Sequence, residues 1–125
     1  MPAQKSTIES YRDLIVWQRG MDLAVTAYRL TTSFPVDERY GMTSQIRRSS
    51  VSIPANIAEG YGRDSAGAYA QHLRIAQGSL KEFETHIMLA TRVNLIAPVA
   101  TEPAMELAKE IGKMLRSLIR SIETS

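Results

Sequence analysis

Gln45-Ile46-Arg47-Arg48-Ser49-Ser50-Val51-Ser52-Ile53-Pro54-Ala55-Asn56-Ile57-Ala58-Glu59-Gly60 combines paired arginines, an internal proline and a terminal Asn-x-x-Glu-Gly in one amphipathic run. Ile46, Ser49, Ile53 and Ile57, together with Met42 just upstream, recur at helical spacing and mark one buried side. The run therefore reads as a helix over residues 43–60, with Thr43 as its N-cap and Gly60-Tyr61-Gly62 as its stop. Pro54 lacks the N–H that would bond the Ser50 carbonyl, which predicts a kink there.

Working outward, breakers leave three more segments of helical period and no candidate strand. Upstream, a helix is predicted over 13–32, ending before Phe34-Pro35 because the residue preceding a proline is pushed out of the helical region. Its apolar residues form two stripes, Leu14, Trp17, Met21, Ala24 and Tyr28 on one side and Val16, Leu23, Ala27 and Leu30 on another. So wide an apolar arc has to meet more than one neighbour, so the helix is either central in the monomer or shared with another subunit, and Trp17, Val16 and Leu23 are the residues nominated for a contact between subunits. Downstream, Ser65 caps a long helix over 65–94, on which Tyr69, Leu73, Ala76, Leu80, Phe83, Ile87 and Ala90 alternate in steps of four and three. Gly78 in its middle suggests a second backbone packed closely against it. After Ala97-Pro98-Val99-Ala100, a fourth helix is predicted over 101–123 with core positions Ala104, Ala108, Ile111, Leu115, Leu118 and Ile122. Four helices on short connections define an all-α, antiparallel up-and-down four-helix bundle as a single domain over 1–125.

Composition narrows the function classes. The chain has 125 residues, of which 44% are hydrophobic and 22% charged, enough apolar material for one core. Its formal charge of +2 names no partner. With no cysteine there are no disulfides, zinc-thiolate sites or thiol nucleophiles. The polar start Met1-Pro2-Ala3-Gln4-Lys5-Ser6 and the lack of any long apolar run lead to the expectation of a cytoplasmic protein with no membrane partner.

The chemistry of sites is thin. A di-iron bundle needs Glu-x-x-His pairs converging on the core, and none occurs. Glu82 and His86 lie i,i+4 but make only two groups, while His72 and His86 are about 21 Å apart along one helix. Gly60-Tyr61-Gly62 and Gly112-Lys113-Met114 lack the spacing of nucleotide loops. There is no Gly-x-Ser-x-Gly elbow. Accordingly no catalytic residue, metal, cofactor or small-molecule substrate is expected. Asn56, Glu59 and Gly60 read as a structural motif, with the polar pair closing backbone donors of the following loop.

The cations say more. Lys109, Lys113, Arg116 and Arg120 follow i, i+4, i+7, i+11 and form one stripe opposite the core side of the last helix. Two readings suit this stripe: a track for phosphates, or a solvated face whose charges suit the helix dipole and in which Glu110 pairs with Lys113. Arg47 and Arg48 point about 100° apart, so at most one faces a core or an interface. Contact with phosphate, pairing with Glu59 or Glu38 of a neighbour, and simple exposure all fit them. Arg63 and Arg74 add positive charge without defining a surface.

A set of motifs then carries a resemblance. Leu14-Ile15-Val16-Trp17, Phe34-Pro35, Glu38-Arg39-Tyr40-Gly41-Met42, Gln45-Ile46-Arg47-Arg48, Ser52-Ile53, Asn56-Ile57-Ala58-Glu59-Gly60, Arg63, Leu73-Arg74-Ile75-Ala76-Gln77-Gly78-Ser79 and Glu82 are arranged in this order. Over residues 12–95 the chain resembles the four-helix bundle family of proteins encoded by intervening sequences of bacterial 23S rRNA genes, also labelled S23 ribosomal-protein-like; the fourth helix agrees in pattern. The resemblance implies a homo-oligomer, a pentameric barrel. It also implies a more distant similarity to the accessory variability determinant of diversity-generating retroelements, which works with a reverse transcriptase and binds nucleic acid. The sequence therefore leads to a non-enzymatic accessory or scaffold that binds structured RNA or DNA, or to a protein-interaction module with no nucleic-acid role.

Overall fold

The computed structural model describes residues 8–125 and places four helices, α1 (Ile15–Thr31), α2 (Met42–Tyr61), α3 (Ala66–Arg92) and α4 (Glu102–Glu123), with no strand among the described residues. Side-chain pairings fix the direction of each neighbour. Gly20 lies against Pro54 and Thr31 meets Arg47, so α1 and α2 are antiparallel. Arg48 meets Glu82 and Asn56 meets His72, so α2 and α3 are antiparallel. Gly112 sits beside Leu80 and Glu123 beside Arg74, so α3 and α4 are too. Arg19 on α1 reaches Glu110 on α4 and closes the square. This is the up-and-down four-helix bundle expected from the pattern.

Each boundary has a local cause, and several differ from expectation. Asp13 belongs not to α1 but to a short 3-10 turn, Tyr11–Asp13, whose Ser10 hydroxyl accepts from the Arg12 amide and whose Asp13 carboxylate accepts from the Ser10 amide. Thr43 does not cap α2. Gly41 occupies that position, and the Glu38 carboxylate reaches forward to accept the Met42 amide at 3.0 Å. Ser65 caps α3 as expected, with its hydroxyl accepting from the Ala68 amide at 3.1 Å. α3 ends where Asn94 enters the left-handed region at φ 63°, with Leu95 and Asn94 amides bonding the Ala90 and Thr91 carbonyls. Thr101 precedes α4, but its hydroxyl turns back to the Pro98 carbonyl and caps nothing.

The core is built from Val16, Leu23 and Ala27 of α1, Ile46, Ile53 and Ile57 of α2, Leu73, Leu80, Phe83 and Ile87 of α3, and Ala108, Ile111, Leu115 and Ile119 of α4. Near the end of α4 the innermost residue is Ile119, with the expected Leu118 and Ile122 only partly buried against the cluster. α2 runs unbroken through Pro54, which is itself buried and packs its ring into the space that the missing side chain of Gly20 leaves. The glycine with a close neighbour across α2 and α3 is Gly60, not Gly78. A β-carbon on Gly60 would meet His72 Cβ at 2.7 Å, whereas one on Gly78 would meet nothing within 4 Å.

Candidate nucleic-acid interface

The α4 cations stand as their spacing requires. Lys109, Lys113, Arg116 and Arg120 are all exposed, and none has an acidic partner within 4 Å among the described residues. Over eleven residues the stripe extends about 16 Å along the helix axis. Glu110 does not pair with Lys113. It accepts instead from the Arg19 guanidinium at 3.2 Å, and so ties α4 to α1 and leaves the stripe unneutralised on that side.

Next to the stripe, the valley between α3 and α4 adds charge that periodicity on one helix does not disclose. One cavity of about 420 Å³ is lined by Lys81, Lys109, Lys113 and Arg116, with Glu84 and Glu106 as its acids. A second, of about 350 Å³, lies over Gly78, Leu80 and Gly112 between Arg74, Lys81 and Arg116. A third, of about 310 Å³ at the C-terminal end of α4, gathers Arg74, Arg116 and Arg120 around Gln77 and Glu123. Gly78 and Gly112 leave backbone bare along the floor, which allows an elongated ligand to lie close. The sequence signal for this was the helix pairing: once α3 and α4 are antiparallel neighbours, Arg74 and Lys81 fall opposite the stripe.

The remaining predicted cations are occupied elsewhere. Arg47 donates its Nε–H to Thr31 Oγ1 at 2.8 Å and lies 4.4 Å from the centroid of the Tyr28 ring, so it braces α2 against α1. Arg48 bridges Gln45 Oε1 at 2.6 Å and Glu82 Oε2 at 2.9 Å, bracing α2 against α3. Arg63 pairs with Glu59 one turn earlier, at 2.6 Å. These three sit on or just after α2, which is diagonal to α4 in the square, and within one chain they share no surface with the stripe.

The Asn56 motif has a different task from the one its position suggests. Asn56 does not close the following loop. Its amide donates to the Ser52 carbonyl at 2.9 Å, its Oδ1 lies 3.3 Å from His72 Nδ1, and Ser52 Oγ lies 2.7 Å from Ser79 Oγ, so the residues form a polar ladder between α2 and α3. Glu59 serves Arg63, and Gly60 supplies the close approach of the two helices. Beside Gly60, Tyr69 meets Tyr61 edge-on at 6.0 Å, and burial, followed by the neighbouring Tyr61, raises the Tyr69 pKa.

Leu23 is fully buried and Val16 nearly so in the chain's own core, the monomer-centred alternative for α1, and Trp17 is partly buried against that core beside Tyr11. The apolar residues that α1 leaves exposed are Ile15, Met21, Val25 and Tyr28; Tyr28 meets Arg47 of α2, one turn before the exposed Val51. Among the described residues, no group of three or more His, Cys, Asp or Glu side chains is placed to hold a metal, and no helix is long and apolar enough to cross a membrane.

These features define an antiparallel helical bundle with a basic outer valley between α3 and α4. The chain belongs to the family of 23S rRNA-intervening sequence proteins, whose model matches residues 12–117. Its fold is similar to the crystal structure of a protein with unknown function from the S23 ribosomal protein family of Bacteroides thetaiotaomicron, with a TM-score of 0.73 and 30% sequence identity over 83% of this chain and 97% of that one. A search of curated proteins finds no match.

Proposed function

We propose that the protein is a non-enzymatic accessory that binds the phosphate backbone of structured RNA or DNA along the α3–α4 valley and acts as a homo-oligomer. The observation that carries this reading is the stripe of Lys109, Lys113, Arg116 and Arg120, exposed and without acidic partners among the described residues. An isolated solvated face commonly neutralises itself through i,i+3 and i,i+4 pairs, and here the acid placed i,i+3 from Lys113, Glu110, is engaged by Arg19. Self-association is supported by Met21, Val25, Tyr28 and Val51, an apolar strip on the α1–α2 side, away from the cations. Closing copies around an axis through that strip repeats the valley on the outside and concentrates its field; a ring of five is the number the family resemblance implies.

Fluorescence anisotropy with a labelled RNA hairpin tests the reading. Affinity is expected to fall with salt, with a slope in log Kd against log salt of magnitude about 3 to 4 if four phosphates are neutralised. Absence of binding at low salt, or binding indifferent to salt, overturns it. The same apolar strip favours a second reading, a protein-interaction module, which gains if a pull-down is insensitive to nuclease.

A further inference from the structure

Resting on the reading above, we infer that the cavity at the C-terminal end of α4 anchors one backbone phosphate of double-stranded nucleic acid, and that Glu123 competes with that phosphate from within the chain. Arg74 on α3 and Arg116 and Arg120 on α4 line a space of about 310 Å³ with Gln77 on its wall. Its neighbours along the valley each include Lys81, and the space beside Ala66 and Ile122 holds Arg74 as its one cation, whereas here three arginines share a cavity with no lysine. Arginine presents a planar fork of donors that matches phosphate oxygens, whereas lysine supplies a point charge. The lysine end of the stripe thus attracts a polyanion in general, and the arginine end can fix a phosphate in place.

Glu123 is the one acid in this cavity, and its carboxylate is held by Arg74. Arg116 and Arg120 have no acidic partner among the described residues. A carboxylate on one of the three arginines that line the cavity takes the donors a phosphate oxygen would take. Both side chains of that pair are roughly half exposed, so the exchange is easy: water and salt already weaken the internal pair.

The duplex assignment follows from what the valley lacks. Proteins that hold single strands stack bases on aromatic rings. No Phe, Trp or Tyr lines any of the three cavities along α3 and α4. The tyrosines and tryptophan lie in the turn before α1, on α1, on α2 and its flanking turns, and at the start of α3. A surface of forks, point charges and bare backbone reads phosphate and not bases, which favours the ligand with the denser phosphate array.

Anisotropy with a labelled blunt RNA duplex, and with an unpaired oligonucleotide of equal length, decides the matter. Glu123→Gln is expected to tighten duplex binding about two- to fivefold, the range of an exposed ion pair. Arg116→Ala/Arg120→Ala is expected to weaken it about tenfold and to reduce the salt slope by about 2. Because the Glu123 variant gains affinity, loss of fold cannot imitate it. If Glu123→Gln changes nothing and the double arginine variant binds as the parent does, while Lys109→Ala/Lys113→Ala weakens binding, the anchor is wrong and the valley reading stands. If the parent binds neither nucleic acid, both fall. Equal or tighter binding of the unpaired strand overturns the duplex assignment.

Discussion

The backbone of Gly60 lies against the side chain of His72 at a distance that leaves no room for a methyl group: a β-carbon there would sit 2.7 Å from His72 Cβ and 3.2 Å from the Tyr69 carbonyl oxygen. The obstacle is backbone and a stem carbon, which cannot swing aside as a flexible side-chain end does. Gly60→Ala is therefore expected to destabilise the bundle by about 1–3 kcal/mol, overpacking outweighing the roughly 1 kcal/mol of helix propensity that alanine gains. Gly78→Ala, with open space around it, is expected to stabilise by up to about 1 kcal/mol. Urea unfolding of both variants checks the pair, and matching signs would refute the packing account.

Asn56 holds the middle of the polar ladder between α2 and α3. Asn56→Leu leaves Ser52 and His72 without their partner in a partly buried seam, for an expected loss of about 1–3 kcal/mol. Thermal unfolding of this variant beside Asn56→Asp separates lost bonding from altered shape.

Arg47 is engaged by Thr31 and the Tyr28 ring, so it braces α1 against α2. Arg47→Ala is expected to cost about 1 kcal/mol in unfolding free energy. RNA affinity is expected to stay unchanged for the folded variant, whereas Lys109→Ala/Lys113→Ala is expected to lower affinity and leave stability within about 0.5 kcal/mol. Titration and denaturation on the same preparations read both arms.

Tyr69 has its pKa raised by burial and by Tyr61. The unfolded tyrosine loses its proton near pH 10, before the folded one does, so the unfolded state binds fewer protons above that pH. The contribution is present in full below about pH 10 and is lost as pH rises through the folded value. Tyr69→Phe is expected to unfold with a shallower alkaline decline than the parent, as followed by circular dichroism between neutral pH and pH 11.

The apolar strip on α1 and α2 gives a separate expectation about size in solution. Val51→Glu places a charge on the α1–α2 side, one turn from the Arg47 that meets Tyr28, on a residue that is already exposed in the single chain. Light scattering is expected to show an oligomer for the parent and a particle near 14 kDa for the variant, the chain mass being 13.9 kDa.

Much of this architecture was legible because helical period and turn chemistry agree. Ser65 before Ala66, the stop near Gly60-Tyr61-Gly62 and the last-helix stripe all stand where the pattern put them. What the pattern missed depends on neighbours. Thr43 has the right chemistry for a cap, but the 3-10 turn Val36–Glu38 delivers a carboxylate first. Arg47 and Arg48 look like a basic patch until Tyr28, Thr31 and Glu82 are placed beside them. Leu23 looked available because two apolar stripes on α1 were equivalent on a helical wheel, and only the positions of α2 and α4 decide which becomes core. Arg74 gained meaning from α4 standing alongside it.

The Arg19–Glu110 closure joins residues 91 positions apart, between α1 and α4. During synthesis, α1, α2 and α3 emerge as an open three-helix layer whose inner residues Val16, Leu80 and Phe83 wait for Ala108, Ile111 and Leu115 to cover them. The nascent bundle is thus sticky until α4 has left the ribosome, and a stop codon within α4 is expected to yield a product prone to clump rather than a shortened working protein.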